Sequence, residues 1–448
     1  MTSFARYIGH FGAMCLAIGV SGCAISPSDG QRANVGAPAI SRGLPPATAS
    51  DLAIMPKAED QLRWTAGQKL VGHRNMHLLF PSGIVEAGQN PYPLTTGEAL
   101  TPEYSFDGGV HSLDDYFERT GAVALLVLKD DRIVLERYTR GDTAQTVSAS
   151  RSMAKSVTST LLGAAIARGD IASIDDTVAT YVPELADTRY GPVTLRQLVT
   201  MSSGVHYYEN PADPNSDLTD LQGCFGSHKG CLLEFLHKIG TRPQNPEVGP
   251  GTSFHYSTAD AVLNGIVVEH ATGMSLPRFL SEAIWQRFGM EDAAYWNMET
   301  TDGSGFGGSG FGATLRDYGR LGLFLLHQGR LRDGTSALPH GWLAQATTPT
   351  GPSIAAGRPY GFAWWLPKGS VANSPQIGIG VDEKSGSAPM TGQATAYYGM
   401  GSAGQVLLIN PAERVVIVKW AAWPDEDRER NGREDAALFA AIVNSLHR

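Results

Sequence analysis

Cysteine is scarce: there are four in 448 residues, and no C-x-x-C pair. That excludes a disulfide-built scaffold and a cysteine zinc cluster. Twelve histidines are scattered without an H-E-x-x-H, so no metal is expected. G-x-S-x-G, the nucleophile elbow of α/β-hydrolases, is missing too. Charged residues are only 18% of the chain, and lysine and arginine never gather in a run. With a formal net charge of −9, the chain lacks the basic stripe that meets phosphates, which excludes nucleic acid as a partner. No segment after the N-terminus is apolar for long enough to span a bilayer. What is plentiful is core material. Hydrophobic residues are 42%, too many for a disordered chain. At about 150 residues to a domain, the length allows two or three.

The N-terminus sets the compartment. Residues 7–28 carry no charge apart from any protonated His10, and Phe11 to Val20 has the length of a signal-peptide core. Val20-Ser21-Gly22-Cys23 then resembles a bacterial lipobox, with cleavage before Cys23 and lipid on its thiol. Residues 1–22 are thus expected to be a lipoprotein signal, and the protein to face the periplasm or the exterior. Its only membrane contact would be the lipid anchor. Residues 23–50, rich in Ser, Pro, Gly and Ala, read as a flexible linker with a reach of roughly 25–30 Å. In an exported chain Cys224 and Cys231 could close a disulfide worth roughly 2–3 kcal/mol. Two free thiols are the alternative.

Residues 51–110 show no periodicity and read as an irregular extension with no role beyond packing. Ala122 to Leu128 is a continuous apolar run. Lys129-Asp130-Asp131 turns the chain, and Ile133 to Leu135 follows, giving a hairpin with a buried strand. From Ser152 to Ala167 the residues Met153, Val157, Leu161 and Ala165 recur every four positions, predicting a helix with one apolar stripe. Helical patterns dominate residues 170–380; Thr314 to Asp317 opens one, with Tyr318, Leu321 and Leu325 on a single face. Val406–Ile409 and Val415–Val418 flank the turn at Asn410-Pro411, and Glu434 to Leu446 reads as a last amphipathic helix. Early strands, late strands and helices between them predict an α+β fold. An antiparallel sheet is built from both ends of residues 111–448, flanked by helices, with a mostly helical subdomain inserted.

Ser152-Met153-Ala154-Lys155 is the only S-x-x-K in the chain. Helical spacing of three puts hydroxyl and amine on one face. A serine hydroxyl is a weak nucleophile that needs a base, and a desolvated lysine can be one. Taken alone, the four residues also suit an N-capping serine and a solvated lysine. Their setting after a hairpin, at the start of an apolar helix, resembles the serine β-lactamase and penicillin-binding-protein family. Tyr256-Ser257-Thr258 is similar to that family's tyrosine element. Thr194 to Gly204, the glycine loop Gly307 to Gly310 and the stretch Tyr398 to Gln405 resemble further family segments. The ending Gly404-Gln405 is similar to the branch of 6-aminohexanoate-dimer hydrolase and related carboxylesterases.

The resemblance implies Ser152 as nucleophile, Lys155 as base and Tyr256 as proton relay, the phenol being hydrogen-bonded to Lys155. The backbone N–H groups of Ser152 and Ser402 would form the oxyanion hole, with no cofactor. It further implies that the strand motif's usual lysine is replaced by Gly399, with Gly401 closing the motif. Tyr207 and Tyr208 could wall the cleft, though loop packing suits them as well. Three functions follow as expectations. One is an acyl-enzyme hydrolase of small ester, amide or peptide-like substrates. Another is a β-lactamase or D-alanyl-D-alanine carboxypeptidase. The third is a non-catalytic, penicillin-recognising or cell-wall-binding lipoprotein. An arginine such as Arg316 or Arg358 could restore the missing cation.

Overall fold

The computed structural model describes residues 43–243, 245, 247–367, 396–424 and 427–447. The signal segment 1–22, Cys23 and most of the linker lie outside the described residues. The linker's last residues do not stay irregular: Thr48 caps a short helix, Ala49–Ala53, by accepting from the Asp51 N–H.

The described strands in chain order are β1 (Ser82–Val85), β2 (Thr95–Thr96), β3 (Tyr104–Phe106), β4 (Gly109–His111), β5 (Ala122–Lys129), β6 (Arg132–Tyr138), β7 (Val147–Ala149), β8 (Ala294–Asn297), β9 (Phe311–Thr314), β10 (Tyr397–Gly401), β11 (Gln405–Asn410) and β12 (Val415–Ala421). Six of them form one sheet in the order β10-β11-β12-β5-β6-β2. The early hairpin and the late hairpin meet where β12 runs antiparallel to β5, with Ile417 opposite Val127 and Val418 opposite Leu126. All pairs are antiparallel except β2 with β6. The expected α+β architecture is the observed one.

β5 is apolar from Ala122 to Leu128 because both its faces are covered. Leu126 and Leu128 face one core, where helix Leu315–Leu326 lies against the sheet. Gly319 permits that approach: a Cβ there would stand 2.6 Å from a Leu126 methyl. Leu125 and Val127 face the other core, with Tyr116 and Phe117 and with Leu438, Phe439 and Ile442 of helix Arg428–Ser445. That helix starts earlier than Glu434. The mixed charges from Arg428 to Arg433 belong to the helix, and Arg430 pairs with Glu434 one turn on. Glu434 and Asp435 are buried because Tyr104, Arg119 and Lys419 partner them.

Two sequence expectations need correction. Residues 51–110 are not irregular. They form helix Ala66–Arg74 and four strands, and β1 is the edge of a second sheet, β1-β8-β9-β7. The short elements escape periodicity because each is completed by a partner distant in sequence. Helix Ala154–Arg168 is buried on every side from Ala154 to Ala165, not along one stripe. Its polar residues tolerate burial by donating to carbonyls: Ser156 to Ala363, Ser159 to Phe362 and Thr158 to Gly307.

Candidate active site

β7 delivers the chain to the site. Ser150 closes it with two bonds to the Phe311 carbonyl, from its N–H at 2.9 Å and its hydroxyl at 2.7 Å. Arg151 then takes φ 53°, and a tight turn, Arg151–Met153, leads into the helix beginning at Ala154. A first-turn N–H such as that of Ser152 has no intrahelical acceptor. Lys155 is 2% exposed. Its Nζ donates to Ser152 Oγ at 3.0 Å and to the Gly308 carbonyl at 2.9 Å. The glycine loop reaches Lys155 because it is squeezed between two helices. A Cβ on Gly307 would stand 2.6 Å from the Ala261 carbonyl of helix Thr258–Thr272 and 3.3 Å from a Thr158 methyl of helix Ala154–Arg168.

Tyr256 enters from the other side, just before helix Thr258–Thr272. Lys155 Nζ lies over its ring, 5.0 Å from the centroid. The contact is to the ring face, so the expected hydrogen bond from phenol to amine is not the one formed. Glu209 fixes this segment, accepting from the Thr258 N–H at 2.7 Å and hydroxyl at 2.9 Å. Asp260 accepts from Ser257 and Tyr190, and burial pushes its carboxyl up to about 6. Trp365 stacks on Tyr256, centroids 5.5 Å apart and planes 23° apart.

The third wall is β10, an edge strand. Gly401 is glycine because the Ser150 carbonyl occupies the place of a Cβ. That close approach carries Ser402 to the nucleophile turn. Ser402 opens a tight turn of its own, with Ala403 at φ 62°. Arg151 Nε donates to Ser402 Oγ at 3.3 Å, and Nη1 donates to Gln61 Oε1 at 3.0 Å. Gln61 is held in turn by Gln222, at 2.6 Å. Gly399 is buried beside Ser156 and Trp364 and brings no cation.

Other expectations fare differently. Tyr207 does not wall a cleft. It is fully buried in the main core, and its carbonyl is the partner of His255 Nε2. Tyr208 is exposed but tied within its own loop to Asp213 and Asn210. Arg316 is held by both oxygens of Glu136 at 2.7 Å, so it is spent elsewhere. Arg358 does approach the aromatic wall, 5.0 Å over Trp365 and 5.8 Å over Phe254. Cys224 and Cys231 are joined by a disulfide, with Cα atoms 5.8 Å apart. Among the described residues no cluster of His, Cys, Asp and Glu could hold a metal. Arg151, Gln61, Glu209 and Trp365 went unread in the sequence. Only Arg151, a lone cation opening an apolar helix, left a signal there.

Residues 113–442 match the family described as Beta-lactamase. The chain belongs to that family. It is 27% identical to a 6-aminohexanoate-dimer hydrolase of Paenarthrobacter ureafaciens, over 78% of this chain and 84% of that one. Its fold is similar to the solved "Putative 6-aminohexanoate-dimer hydrolase from Bacillus anthracis" (TM-score 0.71, 21% identity, covering 87% of this chain and 97% of the other). A class C beta-lactamase is more distant, at TM-score 0.51 and 18% identity over 74% of this chain and 93% of that one.

Proposed function

We propose that this beta-lactamase-family protein is a serine hydrolase that cleaves small esters and amides through an acyl-enzyme. The observation that carries this is the buried Lys155 amine 3.0 Å from the Ser152 hydroxyl. With the amine neutral, the same contact runs the other way: Ser152 O–H donates to Nζ. Oγ then attacks the carbonyl carbon and Lys155 takes the proton. The negative oxygen that forms is met by the N–H groups of Ser152 and Ser402, donors that typically support ~10²–10³ in rate. As the bond to the leaving oxygen or nitrogen breaks, Tyr256 passes a proton to it and, once its phenol has turned to the amine that lies over its ring, is resupplied from Lys155. A water, deprotonated by the same pair, adds to the acyl carbon, and Ser152 leaves with its proton restored.

Selectivity follows from Gly399. A carboxylate on the substrate finds no side-chain cation there, and a charge-assisted bond is worth about 1.5–3 kcal/mol, or one to two decades in kcat/KM. Short esters should react best, linear amides second and β-lactams poorly. A relative named as a 6-aminohexanoate-dimer hydrolase, and not as a β-lactamase, supports placing β-lactams last. A second reading, that carboxylate substrates are favoured, draws on Arg358 beside the aromatic wall. Steady-state kinetics on a p-nitrophenyl ester, a linear amide and a chromogenic β-lactam decide the matter. A β-lactam kcat/KM above that of the ester would overturn the proposal.

A further inference from the structure

Arg151 is a buried cation whose partners are neutral. It is 8% exposed. Among the described residues its guanidinium donates to one amide oxygen, Gln61 Oε1, and one hydroxyl, Ser402 Oγ. Among the described residues the titratable groups around it supply no negative charge. Tyr295 is buried, which raises its phenol and keeps it protonated. His73 is held well below its ordinary value, first by burial and then by the Arg151 and Lys69 charges, so it stays neutral. Lys69 is a cation that donates to the Trp423 carbonyl. Taking a charge out of water without a counter-ion is costly, and buried charges are ordinarily paired. The same residue also sits at φ 53°, a left-handed conformation that a side chain like arginine rarely adopts.

Both features sit beside the nucleophile. The turned backbone of Arg151 sets the direction of the following N–H, that of Ser152. Its side chain reaches across to Ser402, whose N–H is the second donor. Gln61, from the turn Ala58–Arg63, locks the guanidinium, and Gln222 locks Gln61. We propose that Arg151, braced by Gln61, is the positioning residue of the oxyanion hole and a fixed charge whose missing counter-ion is the oxyanion of the tetrahedral intermediate. A charge that is unpaired in the ground state and paired in the transition state lowers the barrier to reaction more than it tightens substrate binding. The extension, residues 51–110, thereby becomes part of the active site. This inference rests on the serine-hydrolase reading.

The test uses the full chain with four changes: Arg151→Met, Arg151→Lys, Gln61→Met and Ser402→Ala. The probes are p-nitrophenyl butyrate and a phenylboronic acid, whose adduct with a serine is a tetrahedral boronate anion with a hydroxyl in the place of the oxyanion. Arg151→Met should lower kcat/KM by ~100-fold and weaken boronate inhibition by the same factor. Arg151→Lys should recover part of both. Gln61→Met and Ser402→Ala should each cost ~10-fold, and Ser402→Ala should add little to Arg151→Met, since both remove one contact. A purely structural role would lower the melting temperature and leave boronate affinity untouched in the folded fraction. Folded Arg151→Met within threefold of wild type, or slowed without weaker boronate binding, overturns the inference. If Arg151→Met does not fold, Gln61→Met and Ser402→Ala decide, and wild-type behaviour in both overturns it. A wild-type protein that takes no fluorophosphonate label at Ser152 instead sinks the hydrolase reading beneath.

Discussion

Ser152 and Lys155 lie three residues apart, and that spacing alone would leave the lysine free to reach water. Burial to 2% and the Gly308 carbonyl hold its amine on the serine. A fluorophosphonate should therefore label Ser152 and no other serine, as peptide mapping would show. Ser152→Ala should abolish both labelling and hydrolysis. Lys155→Ala should lower hydrolysis by ~10²–10⁴, the range of a lost general base, with the circular dichroism spectrum unchanged. Full activity in either variant would contradict the assignment.

At the scale of elements, the site is three pieces brought to one point: the turn after β7, the segment before helix Thr258–Thr272 and the end of β10. The tightest junction is Gly401 against the Ser150 carbonyl. Gly401→Ala should push β10 away from the nucleophile turn and lower kcat/KM at least tenfold, with a smaller loss of melting temperature. A second junction is electrostatic. Glu269 accepts from the Leu276 and Gly305 N–H groups, at 2.9 and 3.1 Å, and ties helix Thr258–Thr272 to the glycine-loop approach. Burial pushes its carboxyl up to about 7 from 4.5. The folded state then holds a proton that the unfolded state has released, so this group's contribution to stability falls as pH rises from about 4.5 to 7. Melting temperature should drop across that window in wild type and drop less in Glu269→Gln. An identical slope in both would refute the link.

At the scale of the whole molecule, the described residues, from Gly43 on, belong to one unit. Among the described residues no helix is long and apolar enough to cross a membrane. We propose that the lipobox-like Val20 to Cys23 tethers this unit to the envelope. Cys23→Ser should move the protein from the membrane fraction to the soluble fraction of a bacterial host. A wild type already soluble, with an unlipidated N-terminus, would end the idea.

The division between sequence and structure follows from the range of each interaction. Local signals were enough for the strands from Ala122 and Val415, whose apolar runs reflect burial on both faces. They also gave the turn at Asn410-Pro411 and the capped helix at Thr314. Motif spacing singled out Ser152 and Lys155, a nucleophile and base one helical turn apart, and the family resemblance added Tyr256. Tertiary structure decided what depends on partners far along the chain. The extension became ordered because β1 pairs with β8 more than two hundred residues later. Tyr207 went into the core and Tyr208 stayed out, a choice between neighbours that no local pattern makes. Arg316 was claimed by Glu136, leaving Arg358 at the aromatic wall. Arg151 gained its place because Gln61 and Ser402, 90 residues before it and 251 after it, converge on one guanidinium. Contacts of that length are set by packing, and packing is invisible until the chain has closed on itself.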